Sequence, residues 1–148
     1  MNIKFNFITL FLLFQILLFN KGNSQNLVIE NGYLDVSDTE LKDNVIELEG
    51  IVDFYWKEFL TPTSVNDSLI GHVKYGAPIP KPWTKIELSE NNYCTQEGYA
   101  TYRLRIKIDN RDEVYGLKIN TIFTAYKLFV NGKLLSTSGQ VGKVKDES

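Results

Sequence analysis

The sequence predicts an all-β fold, arranged as an antiparallel β-sandwich. Between Gly98 and Asp109, apolar residues fall at every second position (Tyr102, Leu104, Ile106, Ile108), as on a strand with one buried face. The dipeptide Asn131-Gly132 separates two apolar runs, which is the strongest short-range hairpin pattern. The other apolar segments are short, lie between turn residues, and include no long amphipathic helix.

Residues 1–24 are expected to be a signal peptide that is removed on export. Lys4 precedes an apolar run from Phe5 to Phe19, and the small residues Gly22 and Ser24 are spaced as at a cleavage site. The alternative is an uncleaved membrane anchor, but the run is shorter than the ~20 apolar residues that span a bilayer. Cleavage after Ser24 would leave residues 25–148 as one exported β-sandwich domain.

The net charge and the cysteine count bear on two questions: whether nucleic acid is a partner, and whether a disulfide stabilises the fold. The net charge of −2 becomes −4 when the signal peptide removes two lysines and no acid, which disfavours nucleic acid as a partner. Cys94 is the one cysteine, so no intrachain disulfide can form, and we expect a small, partly buried residue there. We expect no metal and no cofactor.

The first half of the chain is predicted to form short strands followed by a long surface excursion. Asn26–Ile29 ends at an Asn-Gly turn, and Val45–Glu49 and Ile51–Trp56 are interpreted as two strands broken by Gly50. Phe59 and Leu60 favour a single helical turn after them. Residues 61–83 are expected to leave the sheet, because prolines alternate at positions 78, 80 and 82.

The second half continues this pattern around the central strand. Ile86–Leu88 predicts a short strand, and Ser89–Gly98 a polar loop. Val114–Ile119 and Ala125–Val130 predict two further strands. A two-residue Asn-Gly loop would pair Val130 with Lys133, Phe129 with Leu134, and Leu128 with Leu135.

Four stretches together resemble a known receptor family. They are IELEGIVDFYW (46–56), PKPW (80–83), GYATYRLRIKI (98–108) and AYKLFVNGKLLSTSGQVGK (125–143). In this order they resemble the extracellular sensor domain of bacterial seven-transmembrane receptors with diverse intracellular signalling modules. More distantly, they are similar to the galactose-binding-like jelly roll at the front of β-galactosidase and β-glucuronidase type enzymes.

The resemblance implies a jelly-roll sandwich, a periplasmic or extracellular location, and a receptor whose membrane region leads to a kinase or cyclase. In that family further strands follow the hairpin, whereas this chain stops at Ser148. We therefore expect an incomplete sandwich whose exposed edge strands favour self-association.

No residue pattern predicts catalysis. The one histidine, His72, lies in the proline-rich excursion without a second histidine at ligand spacing. Glu47 and Glu49 could be the paired carboxylates of a glycosidase, but their alternation with Ile46 and Leu48 favours the solvated face of a strand.

The predicted ligand-binding residues are aromatic side chains on loops and one arginine. Flat rings can stack on a sugar while a polar edge takes a hydrogen bond, and loop ends of a sandwich carry such sites. For Trp83 the alternative is a plug that closes one end of the sandwich. Arg103, with Arg105 and Lys107, forms a basic stripe that could bind an acidic ligand, although an ion-paired face is favoured. Tyr102 is expected in the core. The predicted set is Trp83, Tyr93, Tyr99, Arg103 and Tyr126.

These observations favour a non-enzymatic exported sensor or ligand-binding module, whose ligand is a carbohydrate or another small polar molecule. One alternative is an accessory sugar-binding domain of a glycoside hydrolase. Another is a structural or interaction domain without a small-molecule site. The choice of a sugar follows from the jelly-roll resemblance alone, and a fold does not dictate a function.

Overall fold

The computed structural model describes residues 27–41, 45–62, 71–109, 112–119, 122 and 124–143. Within these residues the chain forms ten short strands and one 3-10 helix, Trp83–Lys85. The strands are β1 (Val28–Ile29), β2 (Tyr33–Asp35), β3 (Glu49–Trp56), β4 (Tyr75–Ile79), β5 (Glu87–Ser89), β6 (Asn92–Tyr93), β7 (Ala100–Arg103), β8 (Arg105–Lys107), β9 (Tyr126–Val130) and β10 (Lys133–Ser138). The all-β prediction is confirmed.

Strand β3 is the centre of the largest sheet. It pairs with β4 along one edge, antiparallel, with Val52 opposite Ala77. It also pairs with β1 in parallel near its start and with β7 antiparallel near its end. Aromatic and β-branched residues suit such a half-buried pleated surface, which explains why this stretch is the longest strand.

The core lies on one face of β3. Val52 and Phe54 are buried there together with Ile29 of β1, Leu34 of β2 and Ala77 of β4. Ile86 and Cys94, from the segments flanking β5 and β6, complete this cluster with Val36. One apolar cluster therefore joins the central sheet to the β2 and β5–β6 pairs.

The sheet pairing is mixed rather than purely antiparallel. β1 pairs with β3 in parallel, and β2 pairs with β8 in parallel, with Leu34 opposite Ile106. β5–β6 and β9–β10 are antiparallel two-stranded pairs. The expectation of an antiparallel arrangement throughout is therefore wrong for two of the pairings.

Both Asn-Gly turns are confirmed as tight reversals. At Asn131-Gly132, both residues adopt positive φ (48° and 81°), as a type I′ turn requires. Lys133 pairs with Val130 and Leu134 with Phe129, as predicted. A register shift follows, and Ser136 rather than Leu135 lies opposite Leu128. The third predicted pair is therefore wrong, because the bulge inserts one residue.

The stretch predicted to be one central strand is two strands in different sheets. β7 and β8 are separated at Leu104, and they pair with β3 and β2 respectively. Leu104 and Ile108 pack against the core, but Tyr102 and Ile106 keep 43% and 42% of their surface exposed. The prediction that Tyr102 is a core residue is therefore wrong, although its ring meets Phe54 edge-to-face at 4.9 Å.

Three further predictions about elements are wrong. Val45–Leu48 is not a strand, and one strand runs through Gly50. The excursion contains β4, an edge strand that tolerates Pro78 and contributes buried Ala77. Val114–Ile119 is not a strand and is exposed throughout.

Two predictions about local structure, a helical turn and a polar loop, are also wrong. Phe59 and Leu60 do not form a helical turn. Residues 89–98, expected to be a loop, contain β6, which turns back on β5 through Asn91 at a positive φ of 59°. The predicted signal peptide, residues 1–24, lies outside the described residues. No helix within the described part of the chain is both long enough and apolar enough to cross a bilayer.

Candidate functional site

The 3-10 helix and the segment after β6 form an open depression of about 870 Å³. Its lining residues are Thr84, Lys85, Cys94, Thr95, Gln96 and Glu97. The reversal at Asn91 brings the second group beside the first, since Cys94 donates its backbone N–H to the Ile86 carbonyl at 3.0 Å. Residues 84–85 and 94–97 therefore share one open surface.

Most of the residues that line this depression have polar side chains, and these include both hydrogen-bond donors and acceptors. Lys85 supplies a cation, Glu97 an anion, and Gln96 an amide that can donate and accept. The Thr95 hydroxyl donates to the Glu97 carbonyl at 2.6 Å, which fixes the bend of this segment. Such a mixture suits a ligand that carries several hydroxyl groups.

Cys94 lines the depression, but its thiol is unsuited to nucleophilic chemistry. The side chain is buried, and burial raises the pKa of its thiol above the ordinary value. A thiol with a raised pKa stays protonated near neutral pH, whereas the thiolate is the reactive form. The sequence predicts a small, partly buried residue at this position, and the structure buries it almost completely.

Two of the predicted aromatic residues, Trp83 and Tyr93, are next in sequence to residues that line the depression. Trp83 precedes Thr84, and its indole packs edge-to-face on Trp56 with the ring centroids 5.8 Å apart. This contact agrees with the alternative in which Trp83 is a structural plug. Tyr93 precedes Cys94 and is half exposed, so its ring is accessible to solvent.

The other three predicted residues lie elsewhere. Tyr99 packs on Phe59 with ring centroids 4.6 Å apart. Arg103 lies on β7 beside Asp53, and Tyr126 lies on β9 with its hydroxyl 3.5 Å from the Ser136 Oγ. Within the described residues, no hydrogen bond, ion pair or ring contact joins any two of the five predicted residues.

Two of the three cations in the predicted basic stripe are paired with acids, as the favoured interpretation expects. Arg103 lies 3.9 Å from Asp53, and Lys107 lies 2.9 Å from Asp35. The Ser37 hydroxyl and then Lys107 hold the pKa of Asp35 well below its usual range. Arg105 lies over the ring of Tyr33, 5.8 Å from its centroid. These partners leave the stripe less suited to binding an anion.

Asp53 is a buried charge that sequence reasoning missed. Its side chain is 4% exposed and forms ion pairs with Lys74 Nζ at 3.0 Å and with Arg103 Nη1 at 3.9 Å. It lies on the face of β3 opposite the core, as does Tyr55. The buried Tyr55 hydroxyl has no hydrogen-bond partner among the residues that the structure describes. A lone acid inside the apolar run Ile51–Trp56 was the available indication.

Tyr102 and His72 are two further titratable residues outside the depression. Burial raises the pKa of Tyr102 to about 12, and the Cys94 thiol, once ionised at high pH, contributes to this increase. His72 is exposed and contacts the Glu58 carboxylate. No group of three or more potential metal ligands occurs among residues that the structure describes.

No family model matches this chain, and neither a curated protein nor a solved structure matches it.

Proposed function

We propose that the chain is a non-enzymatic, exported ligand-binding module with a jelly-roll sandwich fold. The ligand is a carbohydrate or a similar small polar molecule, and it binds in the depression between the 3-10 helix and residues 94–97. The observation that carries this proposal is the lining of the depression, which includes the polar side chains of Lys85, Gln96 and Glu97 and a thiol whose pKa is raised. The exposed ring of Tyr93, next in sequence to this lining, is available for stacking on a sugar.

The resemblance of the sequence to receptor sensor domains supports a role in signalling. In such a role the domain reports ligand occupancy to a membrane region. The accessory domain of a glycoside hydrolase would use the same depression, so the two readings differ only in what the domain is attached to. Sequencing the gene downstream separates them: membrane helices with a kinase or cyclase support the receptor, and a barrel with paired carboxylates supports the hydrolase.

The binding proposal is tested by a glycan array followed by thermal-shift measurements. A ligand at 100 times its Kd raises the stability of the folded state by about 2.7 kcal/mol, which is several degrees in melting temperature. Gln96→Ala is expected to weaken binding roughly 2- to 10-fold, because it removes hydrogen bonds from the lining.

Lys81→Ala is the matched control, because Lys81 is exposed and precedes the 3-10 helix without lining the depression. This variant should bind as the wild type does. The site is wrong if Gln96→Ala and Lys85→Ala both keep the wild-type affinity. The ligand class is wrong if no sugar shifts the melting temperature, and the structural or interaction domain then becomes the better description.

A further inference from the structure

The charge of the chain is divided unevenly along its length. Residues 124–143, which include β9 and β10, contain three lysines and no acidic residue. The remaining residues carry 13 cationic and 18 acidic side chains, so they are net acidic. Lys127 and Lys133, on the two strands of the hairpin, are both exposed. The hairpin is thus a cationic element on an acidic protein.

The tip of this hairpin is apolar on both of its faces. Phe129 and Leu134 are cross-strand partners on one face, and they are 42% and 54% exposed. Val130 projects from the opposite face and is 42% exposed, while Leu135 in the bulge is 63% exposed. A partner that covers one sheet face would leave the other face in water.

A medium that surrounds the hairpin tip could cover the exposed apolar side chains on both of its faces. The strand from Phe129 to the Asn131-Gly132 turn advances about 10 Å, which matches the shallow depth at which amphipathic elements enter a lipid surface. Long lysine side chains beside an inserted apolar tip can reach the headgroups. Anionic headgroups would attract the hairpin and repel the acidic remainder of the chain, which orients the protein.

We propose that the β9–β10 hairpin tip, Phe129–Leu135, docks on an anionic lipid surface. This inference does not depend on the ligand-binding proposal, since the depression is lined by residues 84–85 and 94–97. The outward backbone groups at the hairpin edges keep the tip at headgroup level, because hydrocarbon offers them no hydrogen-bond partner.

Vesicle co-sedimentation tests the proposal. The protein is produced by export in a bacterial host and used in the form released, with its N-terminus verified by intact mass. The vesicles contain equal parts phosphatidylglycerol and phosphatidylcholine, or phosphatidylcholine alone. Wild-type protein is expected to bind the anionic vesicles, and to lose most of this binding in 0.5 M salt or on neutral vesicles.

Charge variants assign the binding to the hairpin. Lys127→Glu/Lys133→Glu is expected to lower the partition coefficient at least about 25-fold, since each lysine near an anionic surface contributes about fivefold. Lys81→Glu/Lys118→Glu changes the net charge by the same amount at exposed positions outside the hairpin, and should retain most of the binding. Any contribution of the N-terminus is common to both variants.

A pair of apolar variants tests insertion of the tip. Phe129→Ser/Leu134→Ser should weaken binding roughly tenfold, while Val114→Ser/Leu117→Ser, at exposed apolar positions elsewhere, should not. Circular dichroism checks that each variant is folded. If the apolar variant is unfolded, the comparison of the two charge variants decides whether the hairpin binds the vesicles.

The proposal is overturned if the wild-type protein does not bind anionic vesicles. It is also overturned if the Lys127→Glu/Lys133→Glu variant and the Lys81→Glu/Lys118→Glu variant bind these vesicles equally well. It is also overturned if sedimentation velocity shows that the wild type self-associates while the hairpin variants are monomeric, without vesicle binding. In that case the hairpin is an interface between copies of the chain.

Discussion

Replacing Gly50 by alanine should remove a large part of the stability of the central sheet. Gly50 has a φ of 128°, and an added Cβ would lie 2.6 Å from the backbone N of Ile29 and closer still to its carbonyl oxygen. The backbone conformation alone costs about 1–3 kcal/mol for an alanine. Relief of the clash must move β1 away from β3 and expose Ile29, which forfeits part of the roughly 1.5–3 kcal/mol from its burial.

The free energy of unfolding should therefore fall by about 3–5 kcal/mol in Gly50→Ala, measured by urea denaturation with the m-value held as a check on two-state behaviour. Two control glycines separate the contributions. Gly71 has a φ of 91°, but no atom of the described residues lies within 4 Å of the position that an added Cβ would take, so its alanine variant reports the backbone cost alone. Gly116 also has no described atom within 4 Å of an added Cβ, and its φ lies outside the positive range that disfavours alanine, so its alanine variant should be near neutral.

The close approach of β1 to β3 is refuted if Gly50→Ala and Gly71→Ala lose the same stability to within about 0.5 kcal/mol, the scale on which surface substitutions vary. Equal losses would mean that the strained conformation, and not the neighbouring strand, requires the glycine.

Two further predictions concern charged groups. Lys74→Gln or Arg103→Gln alone should cost about 1 kcal/mol, but the double variant about 3 kcal/mol or more, because it leaves the Asp53 carboxylate buried without a cation. Additive losses in urea denaturation would contradict this. Ser37→Ala should raise the pKa of Asp35 toward its ordinary value, since the Ser37 hydroxyl is the main stabiliser of that carboxylate. The lowered pKa stabilises the folded state above about pH 4 and this contribution is lost as the pH falls further; an unchanged NMR titration of the carboxyl carbon in Ser37→Ala would contradict the assignment.

Features that depend on neighbouring residues alone could be predicted from the sequence. The turns at Asn31-Gly32 and Asn131-Gly132 need only two residues that tolerate positive φ, and both occur where expected. The first two cross-strand pairs of the β9–β10 hairpin follow from the loop length. The bulge after Leu134 could not be predicted, because it depends on how the extra residue Leu135 is accommodated and not on the turn.

Features that depend on distant partners could not be predicted. Alternation between Gly98 and Asp109 indicates extended chain, but it does not specify which strand lies beside it. β7 joins β3 and β8 joins β2, so the stretch is shared between two sheets, and Tyr102 is left half exposed. Burial is a property of the assembled sheets, and a period of two residues predicts only which side chains share a face.

The candidate site could not be predicted from the sequence for the same reason, because it depends on how separate segments come together. Its lining comes from the 3-10 helix and from the segment after β6, neither of which carries a motif, and the β5–β6 hairpin, which turns at Asn91, links the two. The run Glu90-Asn91-Asn92 was the indication of that turn, because asparagine tolerates positive φ better than most residues. With the turn in place, Cys94 reaches the Ile86 carbonyl, and Gln96 must then lie near Lys85. A polar site in an all-β protein of this kind is therefore located by finding the reversals that bring loops together, and only afterwards by the chemistry of the residues in them.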